Sequence, residues 1–186
     1  MIKTSPLGPT IETERMILRP PVIEDFEAFS LFHQDPEVMK FLGGVQERAT
    51  TWRTFNAFVG SWYLYNFAMF CMIDKNTGEW LGRVGPIFPL EWPEKEVGWG
   101  VARSALGKGF AREAAVATMD YAFDKLGWEK VIHCIAPENA PSQNLAKRLG
   151  SQNLGKTQLP PPYTHLDVDA WGQSKEEWLK NRAQFY

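Results

Sequence analysis

Between residues 49 and 65 the apolar side chains Trp52, Phe55, Phe58, Val59 and Trp62 recur at spacings of three and four, the period of one helix face. The spacing predicts a helix whose aromatics enter a core. Upstream, residues 13–20 read as a strand and 23–32 as a helix with Phe26, Phe29 and Leu31 set among acids; Asp35-Pro36 opens a short second helix and Gly43-Gly44 breaks the chain. Residues 67–73 and 80–84 read as two strands joined by a tight reversal at 74–78, DKNTG. After the proline-rich loop GPIFPLEWPE (85–94), the pattern gives a central strand at 96–102, a helix at 109–126, a strand at 130–136 and a helix at 140–149 that ends at Gly150. Two more strands fall near 152–157 and 164–170, and Ser174 with Glu177 forms the capping box of a last helix. Strands alternating with helices predict an α/β domain with a mixed sheet, in which the 109–126 helix crosses between two central strands. Ala111, Ala114, Ala115 and Ala122 would let that helix lie close to the sheet.

At 186 residues and 44% hydrophobic content, one domain spanning 1–186 has enough chain for its core. The formal net charge is −2 and no basic run occurs, which argues against nucleic acid as a partner. The apolar stretches fall short of the roughly 20 residues of a membrane span, and the N-terminal MIKTSPLGPT lacks the apolar core of a signal peptide. A soluble, cytoplasmic protein without a membrane partner is expected. Cys71 and Cys134 lack metal-ligand spacing and read as two reduced, mostly buried thiols. His165, Asp167 and Asp169 alternate along the last predicted strand; that face reads as its solvated side, and no metal is expected.

The segment EVGWGVARSALGKGFAREAA (96–115) joins a strand, a glycine-bearing turn and an alanine-rich helix. Gly107 and Gly109 let the main chain take turns closed to other residues and let a ligand come close. The helix behind them points unpaired N–H groups and a positive dipole end at the turn, and Lys108 and Arg112 add two cations, which together suit a pyrophosphate. A nucleotide P-loop would need Ser or Thr after a Gly-Lys pair, and a dinucleotide fingerprint would need a small residue at Arg112; both fit poorly. On the strand, Glu96 shares a face with Gly98 and Gly100, which would leave open space beside its carboxylate; the alternative is a strand-end glutamate facing solvent or pairing with Lys95 or Lys130. Asn139 is a good N-cap for the 140–149 helix, with Ser142 at its third position.

The run Leu106, Gly107, Lys108, Gly109, Phe110, Ala111 resembles the acyl-CoA pyrophosphate loop of the GNAT acyltransferase superfamily, whose pattern is Gln or Arg, two residues, Gly, one residue, then Gly or Ala. TERMILRP (13–20), DPEVMKFL (35–42), TGEWLGRVG (77–85), EVGWGV (96–101) and APENAPSQNLAKRLG (136–150) follow in the order of the branch similar to ribosomal-protein N-terminal acetyltransferases and their small-molecule-acetylating relatives. The resemblance implies a mostly antiparallel sheet with splayed central strands, acetyl-CoA as co-substrate, and direct attack of a primary amine on the thioester. The amine would belong to a protein N-terminus or a small molecule. It further implies CoA contacts from the backbone of Val101, Ala102 and Arg103, from Leu106 through Arg112, and from Asn139, with Glu96 as base and Ser142 as the acid for the departing thiolate. The demand on the base depends on the acceptor: freeing a lysine-type amine at pH 7 costs about 4.6 kcal/mol, an α-amine little over 1. Ala146 stands where many members carry a tyrosine acid, and a thiol of pKa about 8.5 tolerates that loss.

Trp62, Trp92 and Trp99 are candidates to line the acceptor site, against burial as the alternative, and Glu91, Glu94 and Glu96 would favour a cationic acceptor. Leu106, the missing tyrosine and Ser151, where an aromatic often follows the helix, keep a second class open: a non-catalytic acyl-CoA-binding sensor or interaction module. Relatives are often dimers, and the C-terminal WLKNRAQFY could pack on a neighbour.

Overall fold

The computed structural model describes residues 5–186. Eight strands form one sheet: β1 (Ile11–Glu12), β2 (Met16–Arg19), β3 (Phe70–Asp74), β4 (Trp80–Ile87), β5 (Glu96–Val101), β6 (Lys130–Ile135), β7 (Gln152–Thr157) and β8 (Val168–Ser174). Their spatial order is β1-β2-β3-β4-β5-β6-β8-β7, and every neighbouring pair is antiparallel except β5 with β6. The expected α/β architecture with a mixed, mostly antiparallel sheet is therefore observed. A parallel pair needs a long crossover. Helix α4 (Phe110–Asp120), extended by a π-helical turn at Tyr121–Lys125, provides it.

Alternation along β5 sorts the two faces. Val97 packs against α4 and its π-helical extension, whose Ala114, Ala115 and Ala122 are fully buried, together with Met119, Phe123 and Val131. Small side chains on the helix allow this close seat. The other face is covered by α1 (Phe26–Gln34), α2 (Pro36–Met39) and α3 (Arg48–Tyr65), where Phe26, Phe29, Phe32 and Phe55 surround Trp80 and Ile73. Trp62 is completely buried and donates its indole N–H to the Met69 carbonyl, so it belongs to the core and is withdrawn as an acceptor-site candidate. Asn139 caps α5 (Ala140–Arg148), and Ser174 with Glu177 closes the capping box of α6 (Lys175–Asn181).

One expectation is corrected at the C-terminal end. Strand β8 begins at Val168 rather than near 164, because two successive turns, Tyr163 N–H to the Pro160 carbonyl and Leu166 N–H to the Tyr163 carbonyl, consume the preceding stretch. His165 thus lies in a turn, Asp167 and Asp169 both face Lys156, and no metal-holding group occurs among the described residues. The C-terminal segment packs on its own chain: Trp178 is buried, its indole N–H donates to Asp120 at 2.8 Å, and Phe185 stacks on it at 5.2 Å. Arg182 ties Asp120 to Asp124, so the tail clamps this chain's own crossover helix.

Between β5 and β6 the sheet opens. The two strands share one registered pair, Glu96 with Ile132, and the Ile132 N–H reaches the Lys95 carbonyl at 2.9 Å. In a continued parallel ladder the next rung would join the Cys134 N–H to the Val97 carbonyl. Here the Cys134 N–H donates to Glu96 Oε1 at 3.2 Å, and the Val97 carbonyl accepts from His133 Nδ1 at 2.7 Å. Two side chains replace the missing rung and satisfy both of its buried groups, which would otherwise cost about 1–3 kcal/mol each.

His133 Nε2 in turn faces the Ser151 hydroxyl at 3.0 Å, and Ser151 accepts from Gln173 at 2.8 Å. With its Nδ1 donating to a carbonyl, the imidazole must be neutral, with Nε2 as acceptor. Burial holds both His133 and His33 at about 4, and the charge of Arg83 adds to the effect at His33. Unfolded histidines titrate near 6.5. Between these values the unfolded chain binds more protons than the folded one, so stability falls as pH falls, by on the order of 3 kcal/mol per histidine. Urea unfolding midpoints should therefore drop between about pH 6.5 and 4. In His133→Gln the drop across that window should be roughly halved, and an unchanged slope would refute the assignment.

Candidate active site

The loop between β5 and α4 has the geometry of an anion cradle. Gly107 and Gly109 take φ of +73° and +82°, the left-handed region where a Cβ is strained, and Gly109 is the N-cap of α4. A helix start leaves its first N–H groups without intrahelical partners. Arg15, a residue the sequence does not single out, fixes this corner from β2's approach: its guanidinium donates to the Lys108 carbonyl at 2.8 Å, binds Glu113 at 2.6 Å and lies 4.4 Å from the Phe110 ring centre. Pairing with Arg15 removes most of the repulsion that a first-turn carboxylate would offer an anion. Leu106 and Lys108 are exposed, and so is Arg112, which rests on the Phe185 ring; neither cation has an ion-pair partner among the described residues. Ala111 is half-buried beneath them.

Of the three residues upstream, Ala102 loses its expected main-chain role. The Ala102 N–H is already donated to the Leu81 carbonyl at 2.8 Å, which removes it as a ligand donor. By strand alternation from that bond, the N–H groups of Trp99 and Val101 point away from β4 into the opening. The Arg103 side chain is committed to Asp35, with bonds of 2.7 and 2.5 Å, and holds that carboxyl at about 2. It is therefore not a free phosphate ligand.

A cavity of 520 Å³ runs through the opening and is lined from both faces of the sheet. On the α4–α5 face stand Trp99, Asn139 and Ser142; on the α1–α3 face stand Glu96, Gly98, Met69, Arg83, Phe58 and Trp92. Glu96 is 6% exposed, and each oxygen has one partner: Oε1 accepts from Cys134 N–H and Oε2 from the Trp92 indole N–H at 2.7 Å. Burial pushes its pKa up, and the bonds from Trp92 and Cys134 pull it partly back. Neither Lys95 nor Lys130 pairs with it. The glycines beside it do not leave empty space. A Cβ on Gly98 would come within 2.6 Å of the Met69 methyl, and one on Gly100 within 2.8 Å of the Phe32 ring, so these positions admit close packing instead.

Asn139 accepts the Ser142 N–H at 3.2 Å as helix cap, and it also lines the cavity. Ser142 Oγ accepts the Trp99 indole N–H at 3.3 Å, which leaves the hydroxyl proton free to be donated elsewhere. Trp99 therefore stands with Ser142, on the face opposite Glu96, and is corrected from the acceptor wall to the other side of the opening. Ala146 is fully buried against Ile135 and Trp171, so no hydroxyl could reach the cavity from it without displacing core. Glu91 is exposed and Glu94 bonds the Lys95 N–H; both lie outside the cavity lining. Arg83 and His133 escaped sequence reading, since an isolated cation or imidazole in a strand looks like its polar face.

Known proteins place this arrangement. The acetyltransferase (GNAT) domain family matches residues 15–152. An uncharacterized N-acetyltransferase, p20 of Bacillus licheniformis, is 32% identical over 149 residues, 78% of this chain and 84% of that protein. The crystal structure of an acetyltransferase from Agrobacterium tumefaciens covers 90% of this chain and 95% of its own with a TM-score of 0.78 at 30% identity. At 20% identity, where the likeness speaks for the fold alone, Mycobacterium smegmatis RimJ in complex with CoA-disulfide covers 95% of this chain and 92% of its own with a TM-score of 0.73. A family match over most of the chain shows that this protein belongs to the GNAT acetyltransferase family.

Proposed function

We propose that the protein transfers an acetyl group from acetyl-CoA to a primary amine by direct attack, with Glu96 receiving the ammonium proton and Ser142 supplying one to the thiolate. The observation that carries this reading is the through-sheet cavity, which puts Ser142 and Asn139 on one face of the opening and Glu96 on the other. The pyrophosphate fits the turn at Gly107–Gly109 and the start of α4, with Lys108 and Arg112 as free counter-charges. The pantetheine arm then runs along the unpaired edge of β5, where Val101 N–H is available to the thioester carbonyl.

At Glu96 the amine gives up a proton and its lone pair attacks the carbonyl carbon. The nitrogen of the adduct loses its second proton to solvent, and the C–S bond breaks as the carbonyl reforms. The departing thiolate takes a proton from Ser142, which regains one from solvent. The raised pKa of Glu96 brings it nearer to that of an amine than an ordinary glutamate, which eases the transfer.

Glu96→Gln should lower kcat/KM by about 10²-fold or more, as expected for loss of a positioned base, while acetyl-CoA affinity measured by calorimetry stays within about twofold. Because burial raises its pKa, the acid limb of the wild-type pH–rate profile should sit above the ordinary 4.5, with activity lost as pH falls. That limb should vanish in the Gln variant, whereas the limb set by the amine should move with the acceptor's own pKa. Gly109→Trp should weaken acetyl-CoA binding by tenfold or more; unchanged binding would remove the loop from the site.

A further inference from the structure

Among the groups that line the cavity, Arg83 has an unusual environment. Its β4 position pairs with Gly100 of β5, so it emerges on the face that carries Glu96. Nη1 donates to the Met69 sulfur at 2.8 Å, Nε is buried with no partner, and no carboxylate pairs with it among the described residues. The guanidinium lies over two rings, 5.6 Å from Phe32 and 5.5 Å from Phe58. Ring faces and a thioether offset only part of the cost of holding a cation away from water.

The charge balance of the cavity points the same way. Its carboxyl and guanidinium groups are those of Arg53, Arg83 and Glu96, and burial keeps His33 and His133 neutral at ordinary pH. Arg53 on α3 is exposed at the rim and makes no ion pair among the described residues. Two cations against one carboxylate favour an anion inside, contrary to the cationic acceptor expected from Glu91, Glu94 and Glu96.

Geometry sets where that anion sits. Arg83 reaches back along the sheet to Met69, whose methyl lies 2.6 Å from the place a Gly98 Cβ would take. Glu96 Oε1 comes within 3.4 Å of that same place, so the carboxylate and the thioether that Arg83 bonds converge over Gly98. A short molecule with an amine at one end and an oxyanion at the other fits between Glu96 and Arg83 with one hydrogen bond to each residue. Resting on the acetyltransferase reading, we propose that the acceptor is a small amine bearing a carboxylate or phosphate-type oxyanion, which docks on Arg83 and so presents its amine to Glu96. Guanidinium is suited to this because its planar fork binds such oxyanions in bidentate fashion. A small molecule is favoured over a polypeptide because Trp92 and Tyr163 meet edge to face across the chamber, 6.2 Å between ring centres, and Tyr163 also packs against Gly43, where a Cβ would lie 2.9 Å from its ring.

The test compares matched amines in an acetyl-CoA turnover assay: α-amino acids with apolar side chains, their carboxamides, the corresponding aminoalkyl phosphonates, and peptides with acidic first residues. Wild type should prefer the anionic member of a pair by at least tenfold in kcat/KM, and the carboxylate and phosphonate arms tell the two oxyanions apart. Arg83→Gln should abolish the preference through KM, and Arg83→Lys should restore part of it, with acetyl-CoA affinity unchanged as the check on folding. Equal turnover of acids and amides by wild type would overturn the proposal and leave the acetyltransferase reading standing. Better turnover of the acidic peptides than of any small acid would also overturn it. Failure to bind acetyl-CoA and to acetylate any amine would instead remove the reading on which it rests.

Discussion

One missing hydrogen bond organises this molecule. Where the ladder between β5 and β6 should continue, the Cys134 N–H and the Val97 carbonyl are each taken by a side chain, Glu96 and His133. Without those substitutes, two buried main-chain groups would pull the strands together or stay orphaned. With them, the sheet can remain open at its centre while six registered pairs of β4 with β5 and six of β6 with β8 hold the halves on either side. The cavity, the free edge of β5 and the crossover helix that reaches the glycine turn all follow from that gap.

Glu96 consequently has two tasks in tension. Bonds from Cys134 and Trp92 favour its ionised form, whereas burial opposes it. A carboxylate anchored by both oxygens is also fixed in orientation, which suits a base that must meet an incoming nitrogen at one place. His133 has no such chemical freedom. Locked between the Val97 carbonyl and Ser151, it sets the width of the opening and packs against Trp99 at 4.7 Å, which in turn holds Ser142.

Much of this was legible in the chain because it is local. The aromatic period of α3, the alanines of α4, the caps at Asn139 and Ser174 and the glycines of the turn each depend on residues a few positions apart. What could not be read depends on partners far apart in sequence. Arg15 braces a loop more than ninety residues away, and Arg83 is distinctive only because Phe32 and Phe58 close around it. Trp62 and Trp99 differ in role by which face they enter, and a one-residue step in a strand decides that. The late start of β8 came from turn chemistry at 160–166, where a polar alternation resembled a strand's outer side.

The two walls of the cavity are built from different parts of the chain. One comes from Trp99 of β5 and from the β6–α5 junction with Asn139 and Ser142; the other comes from α1, α3, the 85–94 loop and the 159–166 segment. Exchanging Phe58, Arg83, Trp92 or Tyr163 would alter the second wall without touching the glycine turn or Ser142. Under the proposed division of donor and acceptor sides, the opened sheet acts as a partition that separates inheritance from innovation: a lineage can rewrite what is acetylated by changing one side, while the donor's side is passed on intact.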